Sequence, residues 1–180
     1  MKFKIIESIE QDLEHIENLD KLICRDIYTG EPITDNNKKL NQMIWMLRIN
    51  NFPIIITPDG KLNVDGGVNI GDEDIDYIPF DFGYVMGHFK CYNNNLESLK
   101  GSPDYVGIDF ECFDNNLKSL EHGPKYVGGE YDADSNPIQN SVGIPNTGFL
   151  FFAGGPKHDK IDDLRIKYTN YFRLRYSRRI

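Results

Sequence analysis

The chain has 180 residues, of which 39% are hydrophobic and 12% aromatic, a composition typical of globular rather than disordered proteins. Its net charge of −8 is uneven, because residues 1–153 hold 12 Lys+Arg and 25 Asp+Glu whereas residues 154–180 hold 8 and 3. No apolar run approaches the roughly 18 residues of a membrane-spanning helix, and the first residues lack a secretory-signal pattern. We therefore expect a cytoplasmic protein with an acidic body and a basic end.

The first region, residues 1–53, is predicted to form a helical cap. A capping box beginning at Ser8 precedes apolar residues at helical spacing, which predicts a helix over about 8–26. A second helix is predicted over about 37–50, and we expect both helices to pack on the segment that follows, with Trp45 buried.

The second region, residues 54–140, contains a repeat of 21 residues. The segment 85–99 returns as the segment 106–120, with one weaker copy before and one after this pair. Such a period indicates stacked units that share one core and contact mainly their neighbours. We therefore predict an α+β fold in which about four units form a short solenoid of parallel strands between two caps.

Alternation within each unit predicts which side chains enter the core. The predicted inward pairs are Val68 and Ile70, Phe89 and Cys91, Phe110 and Cys112, and Tyr131 and Ala133. An asparagine recurs at one position of three units, as Asn94, Asn115 and Asn136. We expect these asparagines to be buried and to bond backbone groups of the adjoining turns. The cysteines are interpreted as core residues without disulfides.

The motif Phe110-x-Cys112-x-x-Asn115-x-Leu117 is similar to the strand-and-asparagine segment of leucine-rich repeats, with Phe and Cys in two leucine positions. Over residues 55–138, the chain resembles a group of short-repeat proteins found in large tailed bacteriophages and some bacteria. Because leucine-rich repeats mostly bind proteins, the resemblance implies a non-enzymatic protein-interaction module. It further suggests a phage-encoded factor that binds and modulates a host protein, such as a defence component.

The third region, residues 141–180, is predicted to cap the other end. The apolar run at 149–152 is too short to cross a membrane and is expected to seal the last unit. A basic helix is predicted over about 159–176.

The first candidate site is formed by the outward positions of the predicted strands. Tyr92 and Phe113 fall on neighbouring units, and adjacent exposed aromatic residues are typical of protein-binding patches. The alternative is that a terminal segment folds back over them. The other residues of this predicted protein-binding surface are His88, Lys90, Asp109, Glu111, Glu130, Asp132 and Asp134.

The basic tail is the second candidate site. Its positive charges alternate with aromatic residues, a combination that binds phosphates and stacks bases, so a nucleic-acid-binding accessory protein is the alternative function. The competing interpretation is that the aromatic residues cap the core while the charges meet the acidic body or solvent. The charged residues of this alternative site are Arg165, Lys167, Arg173, Arg175, Arg178 and Arg179.

Motifs of catalysis, metal binding and cofactor binding are absent from the sequence. The glycine-rich stretch 66–71 lacks the Lys-Ser/Thr of a P-loop, and the four histidines are scattered. The acidic run 72–76 lacks the spacing of a calcium loop. We therefore predict no enzymatic activity, no metal and no cofactor, and keep an enzyme without a recognisable motif as a third alternative.

Overall fold

The computed structural model describes residues 17–49, 54–140, 142–143 and 149–151. These residues form a short 3-10 helix at Leu19–Lys21, one α-helix, α1 (Asn36–Ile49), and a series of short strands. The strands are β1 (Ile54–Ile56), β2 (Leu62–Val64), β3 (Val68–Asn69), β4 (Phe82–Val85), β5 (Phe89–Lys90), β6 (Tyr105–Val106), β7 (Phe110–Glu111), β8 (Tyr126–Val127), β9 (Glu130–Asp132) and β10 (Phe149–Phe151).

The strands build two sheets that run the length of the repeat region. The first sheet has the order β3-β5-β7-β9-β10, and all its neighbours are parallel. The second sheet has the order β1-β2-β4-β6-β8 and is parallel except for β1, which runs antiparallel to β2. Between β3 and β9, parallel partners are 21 residues apart, as in Phe89 opposite Phe110 and Val85 opposite Val106, whereas β10 pairs with β9 at a spacing of 19 residues. The chain therefore winds into a solenoid of about three turns, which confirms the predicted α+β solenoid class.

The core lies between the two sheets and is filled by their inward side chains. Phe89 and Phe110 stack with ring centroids 5.6 Å apart, and Tyr131 continues this column at 4.7 Å from Phe110. The inward residues predicted from alternation are all buried. Burial of each large apolar side chain stabilises the fold by about 1.5–3 kcal/mol, so this continuous column holds successive turns together.

The asparagine ladder is present as predicted. Asn115 donates through Nδ2 to the carbonyls of Cys91, Cys112 and Phe113, at 3.0, 3.1 and 3.2 Å, and accepts the N–H of Leu96 at 3.0 Å. Asn94 and Asn136 are equally buried and make the equivalent bonds one turn before and one turn after. The amides thus satisfy backbone groups at the bend, where the sheet ladder is interrupted.

The prediction of a helix over residues 8–26 is wrong for residues 17–26, and residues 1–16 lie outside the described residues. After the 3-10 helix the chain is extended: Leu22 and Cys24 are buried, whereas Ile23 between them is 39% exposed. The N–H of Ile23 donates to the carbonyl of Gly60 at 2.9 Å, and Cys24 bridges Phe80. Hydrogen bonds to the backbone of the first turn therefore hold this segment in an extended conformation, although its apolar residues have helical spacing.

Helix α1 confirms the second predicted helix and docks through buried polar groups. The ammonium of Lys39 is buried and donates to the carbonyl of Asp20 at 2.9 Å, and Gln42 donates to that of Arg25 at 2.7 Å. Met43 on the same helix is fully buried, but Trp45 is half-buried rather than buried as predicted. The helix therefore covers the first end of the core through one apolar side and two backbone contacts.

A buried arginine ties the extended segment to the first turn. Arg25 donates to the carbonyl of Ile78 at 2.9 Å, donates to that of Phe80 and forms an ion pair with Asp81. Since a buried charge is stable only when it is paired and hydrogen-bonded, these three partners fix the position of the segment.

At the other end, β10 pairs with β9 and adds a strand to the first sheet. The pairing of residues 149–151 with the last unit agrees with the expectation that this segment covers it, and residue 152 of the predicted segment lies outside the described residues. The helix predicted over 159–176 lies outside the described residues.

Candidate functional site

The outer surface of the first sheet, here called the first face, brings together all nine residues of the predicted protein-binding surface. They stand in three columns, because residues 21 apart are neighbours in the stack. The columns are His88, Asp109 and Glu130; Lys90, Glu111 and Asp132; and Tyr92, Phe113 and Asp134.

The charged columns of the first face are largely paired within the protein. Lys90 donates to Glu111 at 2.9 Å, and this hydrogen bond raises the pKa of Lys90. Glu111 lies next to Asp132, whose pKa is raised by its own burial and by the nearby carboxylates. Asp109 accepts the N–H of Glu130 at 2.7 Å. Much of the charge on this face is therefore used in holding adjacent turns in register.

The aromatic column of the first face is half-buried rather than free. The rings of Tyr92 and Phe113 stack with centroids 4.7 Å apart and an interplanar angle of 2°. Gly71 stands at the equivalent position of the preceding turn, and a Cβ there would come within 2.9 Å of the Tyr92 ring. The pair therefore packs against the backbone below it, which leaves a smaller exposed area than the sequence predicts.

Three groups on the first face lie close enough to share one cation. The ligand atoms of His88, Asp109 and Glu111 are all within 4.8 Å of one another, and the three side chains are half-buried. Nδ1 of His88 lies 3.1 Å from Oδ2 of Asp109.

The outer surface of the second sheet carries large apolar side chains, which the sequence analysis did not predict as a site. Tyr84, Tyr105 and Tyr126 form one column, and the rings of Tyr105 and Tyr126 stack at 4.8 Å. Met86 lies beside this column, and Ile55 comes from β1. These five residues are called the tyrosine face.

The tyrosine face is more exposed than the aromatic pair of the first face. Ile55 is 61% exposed, and Met86 and Tyr126 are each 48% exposed. Gly107 and Gly128 occupy the position of Met86 in the next two turns, so no side chain stands above Met86 in its column. The result is a groove of about 620 Å³ between β1 and the tyrosine column, also lined by Asn63 and Asp65.

A network of ion pairs borders the tyrosine column. Asp104, next to Tyr105 in the chain, pairs with Lys61 and with Lys125, the latter at 2.6 Å. Burial alone would raise the pKa of Asp104, but the hydrogen bonds from Lys125 and Lys61 outweigh it, so the pKa lies below its usual value. These pairs join the residues that precede β2, β6 and β8 beside the apolar surface.

The repeat region is strongly acidic as a whole. Residues 54–140 hold 5 Lys+Arg and 16 Asp+Glu, a net charge of −11. Asp65 on the groove wall is exposed and belongs to this excess. A negative field over an apolar surface favours partners that are both apolar and basic.

The tyrosine face has one sequence pattern that could have predicted it, namely a tyrosine that recurs every 21 residues. Each of these tyrosines, at positions 84, 105 and 126, is followed by a buried valine. One exposed and one buried residue are compatible with a strand, but a glycine follows each valine of β6 and β8, so no second inward residue continues the alternation. A single pair does not distinguish a strand from a turn.

The remaining sequence-based candidates lie elsewhere or are buried. All six residues of the alternative nucleic-acid site are outside the described residues. Cys24, Cys91 and Cys112 are free thiols in the core, and burial raises the pKa of Cys24 to about 12. A thiol with so high a pKa is a poor nucleophile at neutral pH.

Two further findings concern membrane-spanning helices and similarity to known proteins. In the part of the chain that the structure describes, no helix combines the length and apolar character that crossing a membrane requires. Models of protein families, curated proteins and solved structures gave no match to this chain. The stated resemblance therefore rests on the residue pattern, together with the short solenoid of 21-residue spacing.

Proposed function

We propose that this chain is a non-enzymatic protein-binding module that holds its partner on the tyrosine face. The observation that supports this best is the exposure of Ile55, Met86, Tyr105 and Tyr126 on the outer surface of the second sheet. Contiguous exposed apolar surface on a folded protein commonly marks a binding site. Tyrosine is also frequent among the residues that dominate interfaces, because it contributes a large area with little loss of side-chain entropy.

The partner that fits this face is a protein segment with apolar side chains flanked by lysine or arginine. Apolar side chains would enter the groove beside Met86, while positive charges would meet Asp65 and the excess of carboxylates on the repeat region. Such complementarity mainly increases the rate of association and excludes acidic partners. The resemblance to repeat proteins of large tailed phages favours a host protein, such as a defence component, in this role.

The first face, predicted from the sequence as the binding surface, stays an alternative within the same function. Its charged side chains already pair with one another, and Tyr92 and Phe113 are half-buried. These contacts reduce the binding free energy that a partner would gain on the first face. The basic tail stays a prediction as the site of a nucleic-acid-binding function.

The test compares three variants of the full chain in pull-downs from a bacterial lysate, followed by affinity measurements on the purified partner. Met86→Ser with Tyr105→Ser should weaken binding by about 2 kcal/mol or more, the usual effect of removing interface anchors. The matched variant Tyr92→Ala with Phe113→Ala should bind almost normally. Replacing Lys167, Arg173, Arg175 and Arg178 by Glu should change the affinity little.

Circular dichroism of each variant controls for folding. The proposal is wrong if the tyrosine-face variant is folded and binds normally while the first-face variant does not. If only the tail variant loses binding, and the affinity of the wild-type chain for DNA or RNA falls steeply with salt, the nucleic-acid function replaces it.

A further inference from the structure

We propose that His88, Asp109 and Glu111 form a binding site for a divalent transition-metal ion of the zinc type on the first face. The three ligand atoms lie within 4.8 Å of one another. They come from two adjacent turns, since His88 precedes β5, Asp109 precedes β7 and Glu111 lies in β7. The site is separate from the tyrosine face, and it does not depend on the proposed function.

The imidazole of His88 provides the first argument. Its Nδ1 is shielded from water, has no hydrogen-bond partner among the described residues, and lies 3.1 Å from Oδ2 of Asp109 without being aligned to donate to it. Nitrogen and oxygen ligands bind zinc at about 2.0–2.2 Å, so two ligands of one tetrahedral ion stand roughly 3.3–3.6 Å apart. The two atoms of His88 and Asp109 therefore lie only a few tenths of an ångström closer together than a shared ion requires.

The second argument is that both carboxylates are oriented by other groups. Oδ1 of Asp109 accepts the N–H of Glu130 at 2.7 Å, which leaves Oδ2 directed towards His88. A partner that orients a ligand through its other oxygen, as the backbone does for Asp109, is typical of metal sites and contributes to their affinity. Oε1 of Glu111 is also held in place, by Lys90 at 2.9 Å, but this partner is itself a cation.

The donor set indicates the class of ion. One imidazole nitrogen with two carboxylate oxygens suits zinc and its neighbours cobalt and nickel, whereas calcium and magnesium prefer sites made entirely of oxygen. Three protein ligands leave room for a water molecule at the fourth position of a tetrahedral ion.

Lys90 sets the strength of the site. Its ammonium is bound to Glu111 and competes with any cation for that carboxylate. The ion must displace this contact, so removing the positive charge of Lys90 should strengthen metal binding. This prediction has a definite sign, and a merely structural cluster of ion pairs would not produce it.

The experiment titrates ZnCl₂ into the full chain by isothermal calorimetry at pH 7.5, after chelator treatment and dialysis. The wild-type chain should bind zinc, and His88→Ala should lower the affinity by about tenfold or more, since loss even of an outer partner commonly costs that much. Glu111→Gln should lower it as well, and Lys90→Gln should raise it several-fold. Calcium should bind far more weakly than zinc.

His122→Ala is the matched control, because His122 is an exposed histidine beside Glu121 outside the cluster. It should leave the affinity unchanged, and circular dichroism should show that all variants fold. The proposal is overturned if zinc does not bind at millimolar concentration, if His88→Ala binds zinc as the wild-type chain does, or if Lys90→Gln weakens binding.

Discussion

At the scale of single residues, the bends after β3, β5, β7 and β9 each contain a residue with a strained backbone conformation, and in three of them a buried side chain supports it. Asp72, Asn93, Asp114 and Ser135 occupy the same position of successive turns, and all have positive φ between 48° and 59°. This left-handed conformation is unfavourable for most L-residues but more accessible to Asn and Asp. The buried asparagine that follows in three of these turns bonds the surrounding carbonyls, so the bend is kept although it is strained.

Asn115→Ala tests the contribution of this ladder to stability. The substitution leaves the carbonyls of Cys91 and Cys112 and the N–H of Leu96 without their side-chain partner. We expect the free energy of unfolding in urea to fall by about 1–3 kcal/mol, the usual cost of buried groups left unsatisfied. Asn116→Ala, at the exposed next residue, should change it by less than about 0.5 kcal/mol. Equal effects of the two variants would contradict the structural role of the ladder.

At the scale of elements, the sequence predicts the parts of the fold that the repeat determines. Because the 21-residue period aligns Phe89 with Phe110 and Asn94 with Asn115, the first sheet, the inward residues and the asparagine ladder follow directly. The second sheet was missed because β6 and β8 each show only one inward residue, a valine that a glycine follows, whereas each unit of the first sheet shows two, such as Phe89 and Cys91. Without that sheet, the tyrosine column could not be recognised as a surface.

The error in the first region has a different physical cause. Leu19, Leu22 and Ile23 fit helical spacing, but the segment obtains its hydrogen bonds from the first turn of the solenoid, at Gly60 and Pro79. Local propensity is a weak indicator when such tertiary partners exist. The spacing of apolar residues contains no information about those partners, so this element was not predictable from its own residues.

Removing either end tests the role of the caps. Deleting residues 1–53 removes α1 and the backbone bonds to Gly60 and Pro79, and deleting residues 149–180 removes β10 from β9. The first deletion exposes the apolar core that α1 covers, and the second leaves β9 as an unpaired strand edge; exposed apolar surface and open edges both promote association. We therefore expect both truncated chains to aggregate in size-exclusion chromatography with light scattering, while Lys118→Ala in the full chain elutes as the wild type does. Monomeric, cooperatively folded truncations would show that these segments are not caps.

At the scale of the whole molecule, the contacts indicate that the cap and solenoid unfold together. One continuous cluster of buried residues runs from Leu22 and Met43 through Phe89 to Ile138. Arg25 adds a buried hydrogen bond and Gln42 a part-buried one between the first region and the first turn. In stacked repeats, such interfaces between neighbours are what makes separate units behave cooperatively.

Val106→Ala tests this cooperativity, because the chain has a single tryptophan, Trp45, located in α1 and packed against the core. Val106 is fully buried in the middle of the second sheet, and its truncation removes two carbon groups worth about 0.8 kcal/mol each and leaves a cavity. We expect the unfolding free energy to fall by about 2 kcal/mol, equally by Trp45 fluorescence and by far-ultraviolet circular dichroism. Lys118→Ala should move neither transition. If the fluorescence transition stays in place while the circular dichroism transition shifts, the cap unfolds as a unit separate from the solenoid.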